Sequence, residues 1–328
     1  MATARKTLSP PPALGSEAYR AGHRRFIETG FPTESAEDYR PGGFHPVHFD
    51  DTFQDGRYRI VRKLGNGSYS TVWLALDNEY VFFATFHRAF DMNTDGCSRT
   101  SRFVAVKVIQ AKASAGGSNE VSICNHLSEQ AKQDSRSKHV TRLLDSFKLT
   151  GPNGIHTCLV FEPMGPSAAS MVDELPYNQP RTPGKVCRYP KPMAKSILKQ
   201  VLSALAFLHK YEVSHGDLQP GNILFAVSNL DSAGVETVRQ DRESSVQPIR
   251  RLDGDEDLWA PKYLALGQSL HGFVEVDSCA TVKLSDFGAG TLPIDIDEST
   301  QTDRQFQRFG PTTLPDQLSH LSHCGLQS

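Results

Sequence analysis

The sequence predicts an α+β fold built in two parts, and three observations carry that prediction. Strand-like stretches recur between residues 58 and 162, a single amphipathic helix interrupts them, and a longer helix with one apolar face follows at 191–210. In YRIVRKL (58–64), Tyr58, Ile60 and Leu64 alternate with Arg59 and Lys63, the period of a half-buried strand. The turn formers GNGSYS break the pattern, TVWLAL (71–76) resumes it, and RFVAVKVIQ (102–110) is a third strand rich in β-branched residues. SNEVSICNHL then places Glu120, Ile123, Cys124 and Leu127 at helical spacing, with Ser118 or Asn119 available as N-cap. TRLLDSFKL (141–149) and HTCLVFE (156–162) are two further strands, joined by the turn TGPNG. Five strands with one helix after the third make an α+β unit.

Around this unit the chain divides by composition. Residues 1–45, rich in Pro, Gly, Ser and charge, are expected to be disordered or extended. The sheet and helix occupy 46–165, with an insert at 78–101 between the second and third strands. A second part, 166–290, holds the helix KPMAKSILKQVLSALAFLHK, whose Ile197, Val201, Leu205 and Leu208 share a buried face. It also carries a polar loop at 228–257 and ends in the strand and turn VKLSDFGAG (282–290). The tail, 291–328, is rich in Thr, Gln, Asp and Ser and is expected to be disordered.

Thirty-five basic against 37 acidic residues give a formal charge of −2, so no bulk electrostatic case exists for direct nucleic-acid or membrane binding. Six cysteines without a Cys-x-x-Cys pair argue against zinc and against a disulfide framework, and fit a reducing compartment. No stretch has the ~20 apolar residues of a membrane span, and the N-terminus lacks the apolar core of a secretory signal. Its early arginines leave a transit peptide as the alternative to a basic tail. The expectation is an intracellular, soluble protein.

The chemistry lies in five motifs. Gly65-Asn66-Gly67-Ser68-Tyr69-Ser70-Thr71-Val72 is a glycine loop between two strands, where backbone can close over phosphates or simply make a tight hairpin. In Val104-Ala105-Val106-Lys107, strand parity puts Ala105 and Lys107 on one face, a small residue beneath a flat base and a cation near phosphates. The bland alternative is a lysine on an exposed strand face. Glu120 can pair with Lys107 or merely favour its helix N-terminus. His215-Gly216-Asp217-Leu218-Gln219-Pro220-Gly221-Asn222 offers a carboxylate to accept a hydroxyl proton and an amide oxygen for magnesium. Asp286-Phe287-Gly288 can present a second carboxylate to the same metal. Their order along the chain is that of two lobes closing on ATP, so phosphoryl transfer is the leading reading.

The loop His-Gly-Asp-x-x-Pro-Gly-Asn resembles that of the aminoglycoside and choline kinase group. The string EDYRPGGFHPV (37–47), then DGRYRIVRKLGNGSYSTVWLA, RFVAVKV and Ser70 in place of a third loop glycine resemble the SR-protein kinase family of serine/threonine protein kinases, over about 37–290. That resemblance implies a two-lobed protein-kinase-like fold and an ATP- and Mg2+-dependent enzyme of cytoplasm and/or nucleus, acting on serines of arginine/serine-rich proteins. It implies that Leu64 to Val72 cover ATP, with Leu224 also in the nucleotide site. Lys107 would hold its phosphates, and Glu162 to Met164 would be the hinge reading adenine. Asp217 would be the base, with Asn222 and Asp286 the metal ligands.

Departures accompany the resemblance. Gly216 replaces the usual arginine, so control through a phosphorylated activation loop is not expected. Gln219 replaces the usual catalytic lysine, which removes a positive charge from the transferred phosphate. Only 38 residues follow Gly290, and none reads as a buried helix, so an incomplete helical C-terminal lobe is expected. Two alternatives therefore stand beside the protein kinase: a truncated pseudokinase binding nucleotide or a partner without turnover, and a small-molecule kinase.

Overall fold

In Phe103–Ile109 every residue except Lys107 is buried, as a central strand requires. The computed structural model describes residues 9–79, 102–277 and 280–292, apart from 21, 23, 182, 183 and 185. Strands β1 (Thr52–Phe53), β2 (Tyr58–Asn66), β3 (Ser70–Asp77), β4 (Phe103–Ile109), β5 (Leu143–Gly151) and β6 (Gly154–Phe161) form one antiparallel sheet in the order β1-β2-β3-β4-β6-β5. Five of these are the expected strands, and β1 is a two-residue addition at the edge. Helix α1 (Asn119–Ala131) follows β4 and buries Glu120, Ile123, Cys124 and Leu127. Ser118 is its N-cap, its hydroxyl accepting from the Val121 N–H. All but the first two residues of the 78–101 insert, and the tail from 293 onward, lie outside the described residues.

The second part contains α2 (Ala168–Glu174) and α3 (Lys191–Lys210). Pro192 sits in the first turn of α3, where its missing N–H costs nothing. Ile197, Val201, Ala204, Phe207 and Leu208 of α3 are buried, while Leu205 is only half-buried. A three-stranded sheet joins β7 (Met164–Ser167), β8 (Ile223–Ala226) and β11 (Val282–Leu284) in the order β11-β8-β7. Strand β7 coincides with the MGPS stretch, which at four residues is too short to show a period. One core runs from Ile123 of α1 through Phe207 of α3 to Phe287, so the two parts share their packing.

Two stretches behave differently from their composition. Residues 24–45 hold little regular structure but pack firmly: Phe26, Tyr39 and Phe44 are buried with Ala260 and Leu264. Polar residues 228–257 are not a solvated loop, for Leu230 and Val238 are buried against Val61, Leu74, Leu76 and Phe103 of the sheet. Strand β9 (Val246–Pro248) there pairs with β10 (Tyr263–Ala265).

Lys63 corrects the alternation expected of β2. Bulges between Ile60 and Arg62 and between Lys63 and Gly65 shift the register, and Lys63 becomes wholly buried. Its ammonium donates to both carboxylate oxygens of Glu34 and to Thr33 Oγ1, 2.9 Å away. Tyr39 donates to Glu34 Oε1 at 2.6 Å. Burial works against the Glu34 charge, but Lys63 and these hydroxyls outweigh it and hold the carboxyl below its ordinary range. Glu34→Leu is expected to cost about 3 kcal/mol in urea denaturation, because it strands a buried cation, whereas adding Lys63→Met should restore much of that loss.

His45 lies edge-on to the buried His156, ring centroids 4.9 Å apart. Burial, and then the His156 ring, lower its pKa from an ordinary 6.5 to about 4. Between those values the unfolded chain binds the proton and the folded chain does not, so stability should fall as pH drops from about 6.5 towards 4. Denaturation midpoints across that window check this, and His45→Gln should flatten the slope.

Candidate active site

Antiparallel pairing sets Lys107 opposite Val72 on β3 and Leu159 on β6, with Ala105 two residues earlier on the same face. Below this face α1 brings up Glu120 from its first turn, and the Lys107 ammonium donates to both Glu120 oxygens at 2.9 and 2.8 Å. From the other side Asp286 accepts from the same ammonium at 2.9 Å. Burial opposes the Lys107 charge, yet the two carboxylates overcome it and hold its pKa above the ordinary value. The same ammonium outweighs burial at Asp286 and lowers that pKa. Asp286, two residues past the end of β11, has φ 65, a conformation uncommon for a side-chain-bearing residue.

The loop after α3 is held just as closely. His215 is buried, its Nε2 3.1 Å from the Ser285 carbonyl and its ring 5.2 Å from that of Phe287. Ser285 donates through both N–H and hydroxyl to the Asn222 carbonyl, at 2.9 and 3.1 Å. Asp217 Oδ2 accepts from Gln219 Nε2 at 2.8 Å and from Asn222 Nδ2 at 3.0 Å. Because a carboxylate only accepts, the Asn222 amide nitrogen must face Asp217, which leaves the amide oxygen on the opposite side.

A cavity of about 440 Å³ lies between the sheet and this loop, within the usual range of small-molecule sites. Leu64, Gly65, Asn66, Gly67, Val72, Ala105, Lys107 and Glu120 border it from the sheet and α1. Glu162, Met164, Asn222, Leu224 and Asp286 also form part of its wall. Three candidates stand outside. Ser68 sits at the exposed tip of the β2–β3 turn, where its carbonyl accepts from Gln110, so it is not part of the lining. Asp217 and Gln219 lie beyond Asn222, to which the hydrogen bonds above link them.

Glu162 also differs from expectation in detail. Both its oxygens accept from the Lys283 ammonium, at 2.8 and 2.7 Å, and Oε1 accepts from the Arg142 N–H. Its side chain therefore ties β6 to β11, and because its backbone N–H donates to the Arg142 carbonyl at 3.3 Å, its backbone carbonyl is the group left for a ligand. Sequence reasoning missed Thr141, Phe161, Ser269 and Ser285, which also border the cavity. Phe161 had a usable signal, as the last residue of an apolar strand before the hinge; the other three are small residues in irregular stretches.

The fold is protein-kinase-like, and residues 94–234 match the protein kinase domain family. The serine/threonine-protein kinase SRPK of Physarum polycephalum is 34% identical over 267 residues, covering 78% of this chain and 54% of that protein. SRSF protein kinase 3 of Homo sapiens is 32% identical over 199 residues, 60% of this chain and 30% of its own. Protein kinase dsk1 of Schizosaccharomyces pombe is 33% identical over 197 residues, 59% of this chain and 31% of its own. The chain is similar to the SR-protein kinase family. It spans about half the length of the first of these relatives and less than a third of the other two.

Proposed function

We propose that this chain transfers the γ-phosphate of ATP to serines of arginine/serine-rich proteins. The observation that carries the reading is the meeting of Lys107, Glu120, Asp286 and Asn222 on one cavity, with Asp217 hydrogen-bonded to Asn222. The acceptor class is supported by relatives at 32–34% identity named as SRPK and SRSF protein kinases.

The residues present fit a nucleotide with magnesium. Mg2+ is held by one or two carboxylates plus substrate phosphates rather than by a full protein cage. Asp286 and the amide oxygen of Asn222 would hold it, and when bound it neutralises phosphate charge. Lys107 would release Asp286 to that role and keep its bond to Glu120, presenting a fixed cation to the phosphates. Asp217, with one oxygen engaged by two amides, keeps the other free to accept the proton of a serine hydroxyl. Gln219 serves here by orienting Asp217, so its replacement of a lysine does not by itself argue for a protein without turnover. The fixed hydrogen-bonding groups are what make such transfer possible, since its chemistry is mainly positioning and charge stabilisation.

The test is Mg2+-dependent transfer from labelled ATP to an arginine/serine peptide, with an amino alcohol and an aminoglycoside as competing acceptors. Labelled peptide supports the reading; label on the small molecules alone, or on nothing while ATP binds, overturns it. We also propose cytoplasm and/or nucleus as its location, which imaging of the tagged chain checks. Among the described residues no helix is long and apolar enough to cross a membrane.

A further inference from the structure

Residues 228–277 leave the second part after β8 and come back to β11, and on the way they clasp the open edge of β2. Strand β1 covers that edge only at Tyr58 and Arg59. On the face that carries Lys107, Leu230, Val238 and Leu270 bury against Val61, Leu74 and Phe103. On the opposite face Ala265 joins the cluster of Ile60, Trp73 and Val104. The excursion thus passes from one face of the sheet to the other around its rim.

Along the rim the backbone of β2 is taken up almost residue by residue. The Val61 carbonyl accepts from the Gln240 N–H at 3.2 Å, and the Lys63 carbonyl accepts from the Gln268 N–H at 2.9 Å. The Lys63 N–H donates to Gln240 Oε1 at 2.8 Å. Between them the Arg62 side chain adds its guanidinium, which donates to the carbonyls of Val238 and Ser269 at 2.7 and 3.2 Å. Next to these bonds Gly267 lies directly on the glycine loop. A Cβ at that position would come within 3.0 Å of Gly65 Cα and 3.3 Å of the Leu64 carbonyl oxygen. Ser269, two residues on, borders the cavity itself.

We infer that this excursion is a working part of the nucleotide site: Gly267 sets the height of the roof strand over the base, and Ser269 supplies a wall of the cavity. The inference rests on reading the cavity as a nucleotide site. Gly267 is a positioning residue, acting through Leu64 and Gly65. A glycine is needed there because a larger residue must push a backbone that is already hydrogen-bonded on both sides, and it cannot yield as a flexible side chain would.

Titration calorimetry with MgATP on the full chain tests this, using Gly267→Val, Ser269→Leu and, as control, Gly272→Val, whose added Cβ meets nothing within 4 Å. Gly267→Val and Ser269→Leu are expected to weaken ATP binding roughly tenfold or more, with melting of the nucleotide-free protein lowered in Gly267→Val and little changed in Ser269→Leu. Gly272→Val should bind as the wild type does. Should Gly267→Val fail to fold, Ser269→Leu decides alone. Wild-type affinity in the variants that fold overturns the inference while leaving the nucleotide site intact. A wild-type chain that binds no ATP overturns the nucleotide reading itself, and the inference with it.

Discussion

Asp217→Asn is expected to lower phosphate transfer by roughly 10² to 10⁴ while leaving ATP binding and stability close to wild type. The reason lies in the hydrogen bonds around the carboxylate. Oδ2 accepts from Gln219 and Asn222, so an asparagine would turn its amide oxygen to those two donors and keep the local geometry. Its NH2 would then occupy the position of the free carboxylate oxygen. A donor there cannot take the serine proton, so orientation survives and base catalysis is lost. Single-turnover transfer to an arginine/serine peptide, beside a calorimetric ATP titration, separates the two. Transfer at the wild-type rate would remove Asp217 from its role.

Gly216→Arg, which restores the residue usual in protein kinases, should be damaging. Gly216 has φ +76, and a Cβ on it would lie 2.0 Å from the Ala289 carbonyl oxygen. That carbonyl cannot retreat easily, because Ser214 and Thr291 exchange both backbone hydrogen bonds at 3.1 Å on one flank. On the other flank His215 bonds the Ser285 carbonyl. Left-handed backbone strain and the overlap together are expected to cost upwards of about 4 kcal/mol. The loss should appear as a large drop in urea midpoint and as lost transfer, since Asp286 and Asp217 sit on the two loop segments being forced apart. Gly216→Ala should show much of the same effect, because the offending atom is the Cβ. An arginine variant as stable as the parent would disprove the clash.

That glycine shows what was legible in the sequence and what was not. Its identity stood out as a departure, but its cause lies in Ala289, which is distant in sequence and lacks a side chain that would announce a contact. The sheet and α1 were readable because half-buried elements stamp a period of two or 3.6 on the chain. The Lys107–Glu120 pair was readable because strand parity put Lys107 and Ala105 on one face. Lys63 was not, since its countercharge comes from Glu34 in a stretch whose composition suggests no packing. Residues 228–257 hid their role for a related reason. Leu230 and Val238 are too few among polar neighbours to make a pattern, and the groove they fill belongs to another part of the chain. Ser68 failed for a simpler cause, as the turn carries it past the cavity to the tip.

The clasp around β2 also bears on how the chain is made. Arg25 donates to Asp257 across 232 positions, and Phe26 bridges Arg251 in the same region. A ribosome therefore delivers the first lobe long before the segment that seals it, leaving Val61, Leu74 and Phe103 uncovered through much of synthesis. Contacts of such separation slow folding and keep sticky surface in view. Nascent chains halted before Leu230 should bind a hydrophobic-seeking chaperone far more than chains released past Leu270.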